Sequence, residues 1–144
     1  MTIAAKEYIT ENADQTESLA ARLASRLRGG ECIALHGDLG AGKTQFVRGL
    51  VAGLGADPRL VSSPTFVLLH VYTGGRLTVY HLDAYRAAGP DDFEAIGFAE
   101  LLEQGGVVVI EWAGRVEKLL PARRIDIRIE AIGSDTRRID IQTR

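Results

Sequence analysis

The 144-residue sequence has a single cysteine, Cys32, so no disulfide framework can form. Lying in an apolar stretch, Cys32 reads as a small core residue. No segment approaches the roughly 18 apolar residues of a membrane helix, and Met1-Thr2-Ile3-Ala4-Ala5-Lys6-Glu7 lacks the apolar run of a secretory signal. The expectation is a cytoplasmic protein without membrane contact. Charge of one sign is also lacking: a formal net charge of −2 argues against a large nucleic-acid-binding face. Repeats, low-complexity tracts and long linkers are absent. No Asn-Lys-x-Asp segment is present to read guanine, and there is no room for a large lid or acceptor domain. Those two absences weaken a GTPase and a small-metabolite kinase respectively.

What is present fits one globular domain over residues 1–144. Hydrophobic content of 46% and charged content of 25% are ordinary for such a domain. A chain this long buries roughly two-thirds of its unfolded surface without covalent or metal staples. The distinctive segment is Gly37-Asp38-Leu39-Gly40-Ala41-Gly42-Lys43-Thr44, which fits the phosphate-loop pattern G-x-x-x-x-G-K-[ST]. A random chain of this length would contain the bare pattern on the order of once in two hundred cases. Here Cys32-Ile33-Ala34-Leu35-His36 before it reads as a buried strand, and Gln45 to Val51 after it reads as a helix. Glycines let the backbone wrap closely around phosphate oxygens, with N–H groups and a helix N-terminus aimed at the anion. Asp38, Leu39, Gly40, Ala41, Gly42, Lys43, Thr44 and Gln45 are therefore the expected nucleotide contacts. Lys43 would reach the β- and γ-phosphates, and the Thr44 hydroxyl would ligate magnesium.

The rest of the chain suggests a three-layer α/β domain of the phosphate-loop NTPase kind, with a mixed central sheet. Asp14 and Glu17 suit a capped start for a first helix carrying Leu19, Leu23 and Leu27, stopped by Gly29-Gly30. Thr65 to Thr73 and Leu77 to Leu82 flank Gly74-Gly75 as a hairpin. Asp91 to Gln104 reads as one or two short helices, and Val107 to Ile110 as a strand covered on both faces, parallel to the loop strand as neighbour or near-neighbour. Ile125, Ile127 and Ile129 alternate with charged residues before a turn at Gly133-Ser134-Asp135, and Ile139 and Ile141 follow. That is a second hairpin with one buried face. Residues 112–144 hold eight Lys/Arg against five Asp/Glu. Arg115, Lys118, Arg123, Arg124, Arg128, Arg137 and Arg138 there read first as a solvated sheet face, with a partner or RNA contact as the other use.

A phosphate loop alone only binds; hydrolysis needs an acidic residue near magnesium and a group that places the nucleophile. Glu111, ending the 107–110 strand, meets the first need on the same sheet edge as the loop. Asp83, in Tyr80-His81-Leu82-Asp83-Ala84-Tyr85-Arg86, could orient water or hold magnesium through water. Arg86 could pair with phosphate or only with a neighbouring carboxylate. His81 reads as a satisfied structural histidine, and His36 and His70 have no assigned role. Ser62-Ser63-Pro64-Thr65-Phe66 follows the loop helix, where a segment could sense the γ-phosphate. Trp112 could stack on a base, anchor a moving segment, or simply pack.

The loop, Ser63-Pro64-Thr65-Phe66, His81-Leu82-Asp83-Ala84-Tyr85-Arg86 and Glu111-Trp112, in that order and spacing, resemble the bacterial ATPase family TsaE. The resemblance spans about Thr16 to Trp112 and implies more than the residues show by themselves. It implies ATP bound with magnesium and hydrolysed slowly by a subunit that docks on the TsaB–TsaD heterodimer. TsaD transfers the carbamoyl group to adenosine of tRNA, so tRNA is reached indirectly through the complex. Carried over, Lys43 and Thr44 serve phosphate and magnesium, Glu111 the metal, Asp83 the catalytic neighbourhood, Thr65 the sensing segment, and Trp112 the site wall. Gln45 departs from the family, in which many members have a second hydroxyl, so nucleotide affinity could differ. A non-hydrolytic nucleotide-dependent scaffold and a small-metabolite kinase are the competing readings.

Overall fold

The structure, a computed structural model, describes residues 4–38, 40–62, 69–85 and 90–144. In chain order it runs β1 (Ala4–Thr10), α1 (Ala13–Ala24), β2 (Cys32–His36), α2 (Lys43–Gly53), β3 (Leu69–Tyr72) and β4 (Val79–Asp83). There follow α3 (Pro90–Ala95), α4 (Phe98–Leu101), β5 (Val107–Glu111), β6 (Ile125–Ala131) and β7 (Arg137–Thr143), with 3₁₀ segments at Pro58–Leu60 and Ala113–Leu119. The strands form one sheet in the order β1-β7-β6-β2-β5-β4-β3. Its centre, β6-β2-β5-β4, is parallel; β3, β7 and β1 are antiparallel to their neighbours.

Side-chain alternation makes the layers. Ile33 and Leu35 of β2 and Val107 and Val109 of β5 face α1 and α2 in one core. Cys32, Ala34, Val108 and Ile110 face the other way, against Phe93, Phe98, Ala113 and Val116. The three-layer α/β architecture and the mixed sheet match the sequence expectation, and β2 and β5 are direct parallel neighbours. Burial pushes the Cys32 thiol up to about 12, which leaves it unreactive. No helix among the described residues is long and apolar enough to cross a membrane.

Three details differ from expectation. Asn12 caps α1, its side chain accepting from Gln15 N–H at 2.9 Å, so the helix begins two residues before Asp14 allows. The helix ends at Ala24, well before Gly29-Gly30. β1 was not foreseen at all; it pairs Ala4–Thr10 with Arg137–Thr143.

Asp126 of β6 centres a charge network. Asp126 accepts from Arg144 Nε at 2.6 Å and Arg124 Nε at 3.0 Å, with His36 Nε2 at 3.5 Å. Burial pushes the Asp126 carboxyl up, but the Arg144 and Arg124 hydrogen bonds outweigh it and hold the group below the usual carboxylate range. A depressed carboxylate gives stability that is present at neutral pH and lost as pH falls through the acid range. Asp126→Asn should therefore lower stability by up to about 1 kcal/mol at pH 7. Thermal melts down the pH scale should show the gap to the parent chain closing as Asp126 takes up its proton.

Candidate functional site

The carboxyl ends of the parallel strands form one edge of the sheet, where open α/β sheets place their ligands. Loop 37–44 leaves β2 there, Asp83 ends β4, and Glu111 ends β5. Leu39 of the loop lies outside the described residues. A Cβ at Gly37 would stand 2.6 Å from the Ile129 carbonyl, so the loop leaves the sheet where only glycine fits. Gly42 (φ 107°) turns the chain into α2, whose N-terminus has neither a side-chain cap nor an acidic residue in its first turn. The helix thus begins with unpaired N–H groups and a positive field.

Lys43 is 6% exposed. Its Nζ donates to the Gly37 carbonyl at 2.5 Å and the Asp38 carbonyl at 3.2 Å, and lies 4.0 Å from the Trp112 ring centroid. Burial lowers its pKa, while Glu111, Asp83 and Asp38 pull the other way. The ammonium is therefore held by weak carbonyl acceptors and an aromatic face, and a strong anion at the loop would relieve its desolvation.

The two carboxylates sit side by side, because the β4–β5 register sets Asp83 opposite Glu111. They are 5% and 3% exposed. Asp83 Oδ1 accepts from Tyr85 N–H at 2.8 Å, which fixes the turn after β4. Burial pushes the Asp83 carboxyl up, with the Glu111 charge adding to it, against the Tyr85 hydrogen bond and the pull of His81 and Lys43. Such a site favours a cation or a proton.

His81 is fully buried with both ring nitrogens partnered, as expected of a structural histidine. Its partner is unexpected. Nε2 faces Glu111 Oε2 at 2.5 Å, while Nδ1 lies 3.1 Å from the Tyr72 hydroxyl, which donates to the Ser62 carbonyl at 3.4 Å. The histidine fixes one oxygen of Glu111 and ties it to the start of the 62–66 segment. Thr65, Ser63, Pro64 and Phe66 of that segment, and Arg86, lie outside the described residues.

Trp112 is the only non-glycine residue with positive φ (58°) among those described. Strain of this kind at a bulky residue persists only where surrounding contacts impose it. Here Lys43 and the Tyr85 ring, 5.0 Å away, flank the indole.

Lys43, Asp83, Tyr85, Glu111 and Trp112 line one cleft of about 880 Å³. Of the sequence candidates, Asp38, Gly40, Gly42, Lys43, Thr44, Gln45, Asp83, Glu111 and Trp112 meet there. The Gln45 side chain accepts from Arg48 at 3.3 Å. Ala41, within the loop, is buried in the core. Among the described residues, no group of three or more His, Cys, Asp and Glu could hold a metal unaided. The Thr44 hydroxyl and Glu111 offer the oxygen donors a hard cation takes, and such a cation would need further ligands from outside the chain.

The cleft also contains residues that sequence reasoning missed. Thr16 is among them, its hydroxyl 2.7 Å from that of Thr10. Arg137 is the chief correction, because it is not part of a solvated face. Its Nε donates to the Ala41 carbonyl at 2.8 Å and its Nη2 to Gly40 at 3.4 Å. Its Nη1 donates to the carbonyls of Gly133, Ser134 and Thr136. One guanidinium thus ties the β6–β7 turn to the loop. An anion held by the loop should bind about tenfold more weakly to Arg137→Ala, the value of one or two such bonds. Arg137→Lys should recover only part, because it lacks the planar fork. Calorimetric titration checks both variants.

The profile of the family described as "Threonylcarbamoyl adenosine biosynthesis protein TsaE" matches residues 10–139. The chain belongs to the TsaE family. It is 41% identical over 133 residues to the tRNA threonylcarbamoyladenosine biosynthesis protein TsaE of Bacillus subtilis, covering 92% of this chain and 82% of the relative. The TsaE of Treponema pallidum is also 41% identical over 133 residues, covering 92% and 97%. The crystal structure of Bacillus subtilis YdiB superposes with a TM-score of 0.81 at 32% identity, over 99% of this chain and 88% of that one. The match to TsaE extends beyond the loop on both sides, taking in β1 residue Thr10 and β7 residue Arg137.

Proposed function

We propose that this chain binds ATP with magnesium in the cleft at the ends of β2, β4 and β5 and hydrolyses it slowly. We further propose that it does so in the cytoplasm as a subunit of the assembly that makes threonylcarbamoyladenosine in tRNA, docking on the TsaB–TsaD heterodimer. One observation carries the ATP reading. A buried lysine with only carbonyl acceptors stands at an uncapped helix N-terminus, beside two buried carboxylates that the sheet register sets together.

Each group then has a task. Lys43 exchanges its carbonyls for β- and γ-phosphate oxygens, and the N–H groups at the start of α2 take the remaining charge. The Thr44 hydroxyl and Glu111 would hold magnesium, and that ion would supply charge neutralisation for phosphoryl transfer. His81 keeps the Glu111 carboxylate aimed. Asp83, whose proton affinity burial raises, suits the water: the water oxygen bonds to the γ-phosphorus, the bond to the ADP oxygen breaks, and the proton passes to Asp83. Trp112 walls the cleft. The place in tRNA modification rests on family membership and on the relatives' names.

Trp112 is the only tryptophan, so its emission reports on this cleft alone. Titration with ATP and magnesium should change that emission saturably, and ATP should compete with ADP. Unchanged emission together with no heat in calorimetry would remove the nucleotide reading.

A further inference from the structure

We infer that the face of β7 and β1 beside α1 is a docking groove for an acidic amphipathic helix of a protein partner. Helices cover the apolar sheet faces of a three-layer α/β domain. On the α1–α2 side the cover is incomplete. The register sets Ile125 opposite Thr143 and Ile127 opposite Ile141, and Ile141 in turn faces Lys6, so one face of β6 continues outward across β7 and β1. Tyr8, Leu23 and Ile141 pack against the core yet stay only partly buried. Between α1 and these strands lies a cavity of about 890 Å³. Cys32 and Ile125, at the starts of β2 and β6, and Thr143, at the end of β7, line it. It is therefore at the opposite end of the sheet from loop 37–44, and it does not rest on the nucleotide reading.

The rim is cationic on both sides. Arg22, Arg26 and Arg28 come from α1 and the turn after it, Lys6 from β1, and Arg123 from the approach to β6. Among the described residues, none of these five has a carboxylate within ion-pair distance. At one end Arg124 and Arg144 are occupied by Asp126. Glu31, the one acidic residue lining the cavity, already accepts from Arg28 N–H at 2.7 Å and Gly29 N–H at 2.8 Å. In a chain of net charge −2, that is a focused positive field set against the overall balance.

An apolar floor between two cationic rims selects an occupant with an apolar stripe and acidic flanks. A single α-helix, about 10–12 Å across, meets both demands and supplies the missing layer. A nucleic-acid backbone satisfies only the rim. The floor offers one aromatic ring, Tyr8, and not the stacking platform that unpaired bases use.

The probe is a labelled peptide of about 18 residues, some five helical turns. It has leucines at helical spacing and glutamates between them. Fluorescence anisotropy compares it with a shuffled peptide of the same composition and with an oligouridylate of similar length. The full chain should bind the patterned peptide about tenfold or more tighter than the shuffled one. Arg22→Glu/Arg26→Glu should weaken that binding about tenfold or more at unchanged melting temperature. Leu23→Glu should weaken it through the floor. Equal binding of the two peptides, no binding, or indifference to these variants would overturn the proposal. Tighter binding of oligouridylate, lost in the same double variant, would assign the groove to nucleic acid instead.

Discussion

Lys43→Ala should abolish ATP hydrolysis and weaken ATP binding by roughly 100-fold or more. A hydrogen bond to a charged group is worth about 1.5–3 kcal/mol, and in the proposed ATP site the ammonium makes two with phosphate oxygens. Each 1.4 kcal/mol is a factor of ten. The cost to the fold is small by comparison. Lys43 holds the Gly37 and Asp38 carbonyls and lies over the Trp112 ring, and burial already disfavours its charge. Melting temperature should therefore move little while affinity collapses. Titration calorimetry and phosphate release read the two effects separately. A variant that folds and hydrolyses ATP normally would remove Lys43 from the site.

Glu111→Gln should split binding from chemistry. The glutamine is isosteric, and its carbonyl oxygen still accepts from His81, so the buried hydrogen bond survives while the charge does not. ATP affinity should change only a few-fold, whereas kcat should fall roughly 10²–10³-fold, the scale of losing one preorganised electrostatic group. His81→Ala should reproduce part of the kcat loss at nearly unchanged KM for ATP, because it frees the Glu111 carboxylate without removing it. The comparison is made at saturating and at limiting magnesium. Equal losses in affinity and kcat for Glu111→Gln would make Glu111 a general binding residue and not a group for the transition state.

The central layer was readable because its signals are local and strong. The apolar run of β2, the glycines of the loop and the uninterrupted 107–110 segment each report their structure within a few residues. β1 gave no comparable signal. Ala4–Thr10 carries only Tyr8 as a large inward-facing residue, and its strand identity comes from pairing with β7, some 130 positions away in the chain. The cap of α1 is ambiguous in the sequence because Asn12 and Asp14 both suit the role, and only the first makes the bond. Within the site, Asp83 and Glu111 were legible as strand-end carboxylates next to a phosphate-loop pattern. Arg137 was not. It stands in a stretch of alternating charged and apolar residues, where an outward arginine is the ordinary outcome. Only the reach of its guanidinium across the hairpin turn to Gly40 and Ala41 gives it a part. His81 was read correctly as satisfied, but a sequence does not name the partner that satisfies it.

The most direct test is phosphate release from ATP by the purified chain with magnesium, alone and with TsaB and TsaD added. Slow release alone that rises when the pair is present is the expected result. Release indifferent to the pair would keep the ATP site and contradict the docking. No release under either condition would contradict hydrolysis itself and leave a nucleotide-dependent scaffold.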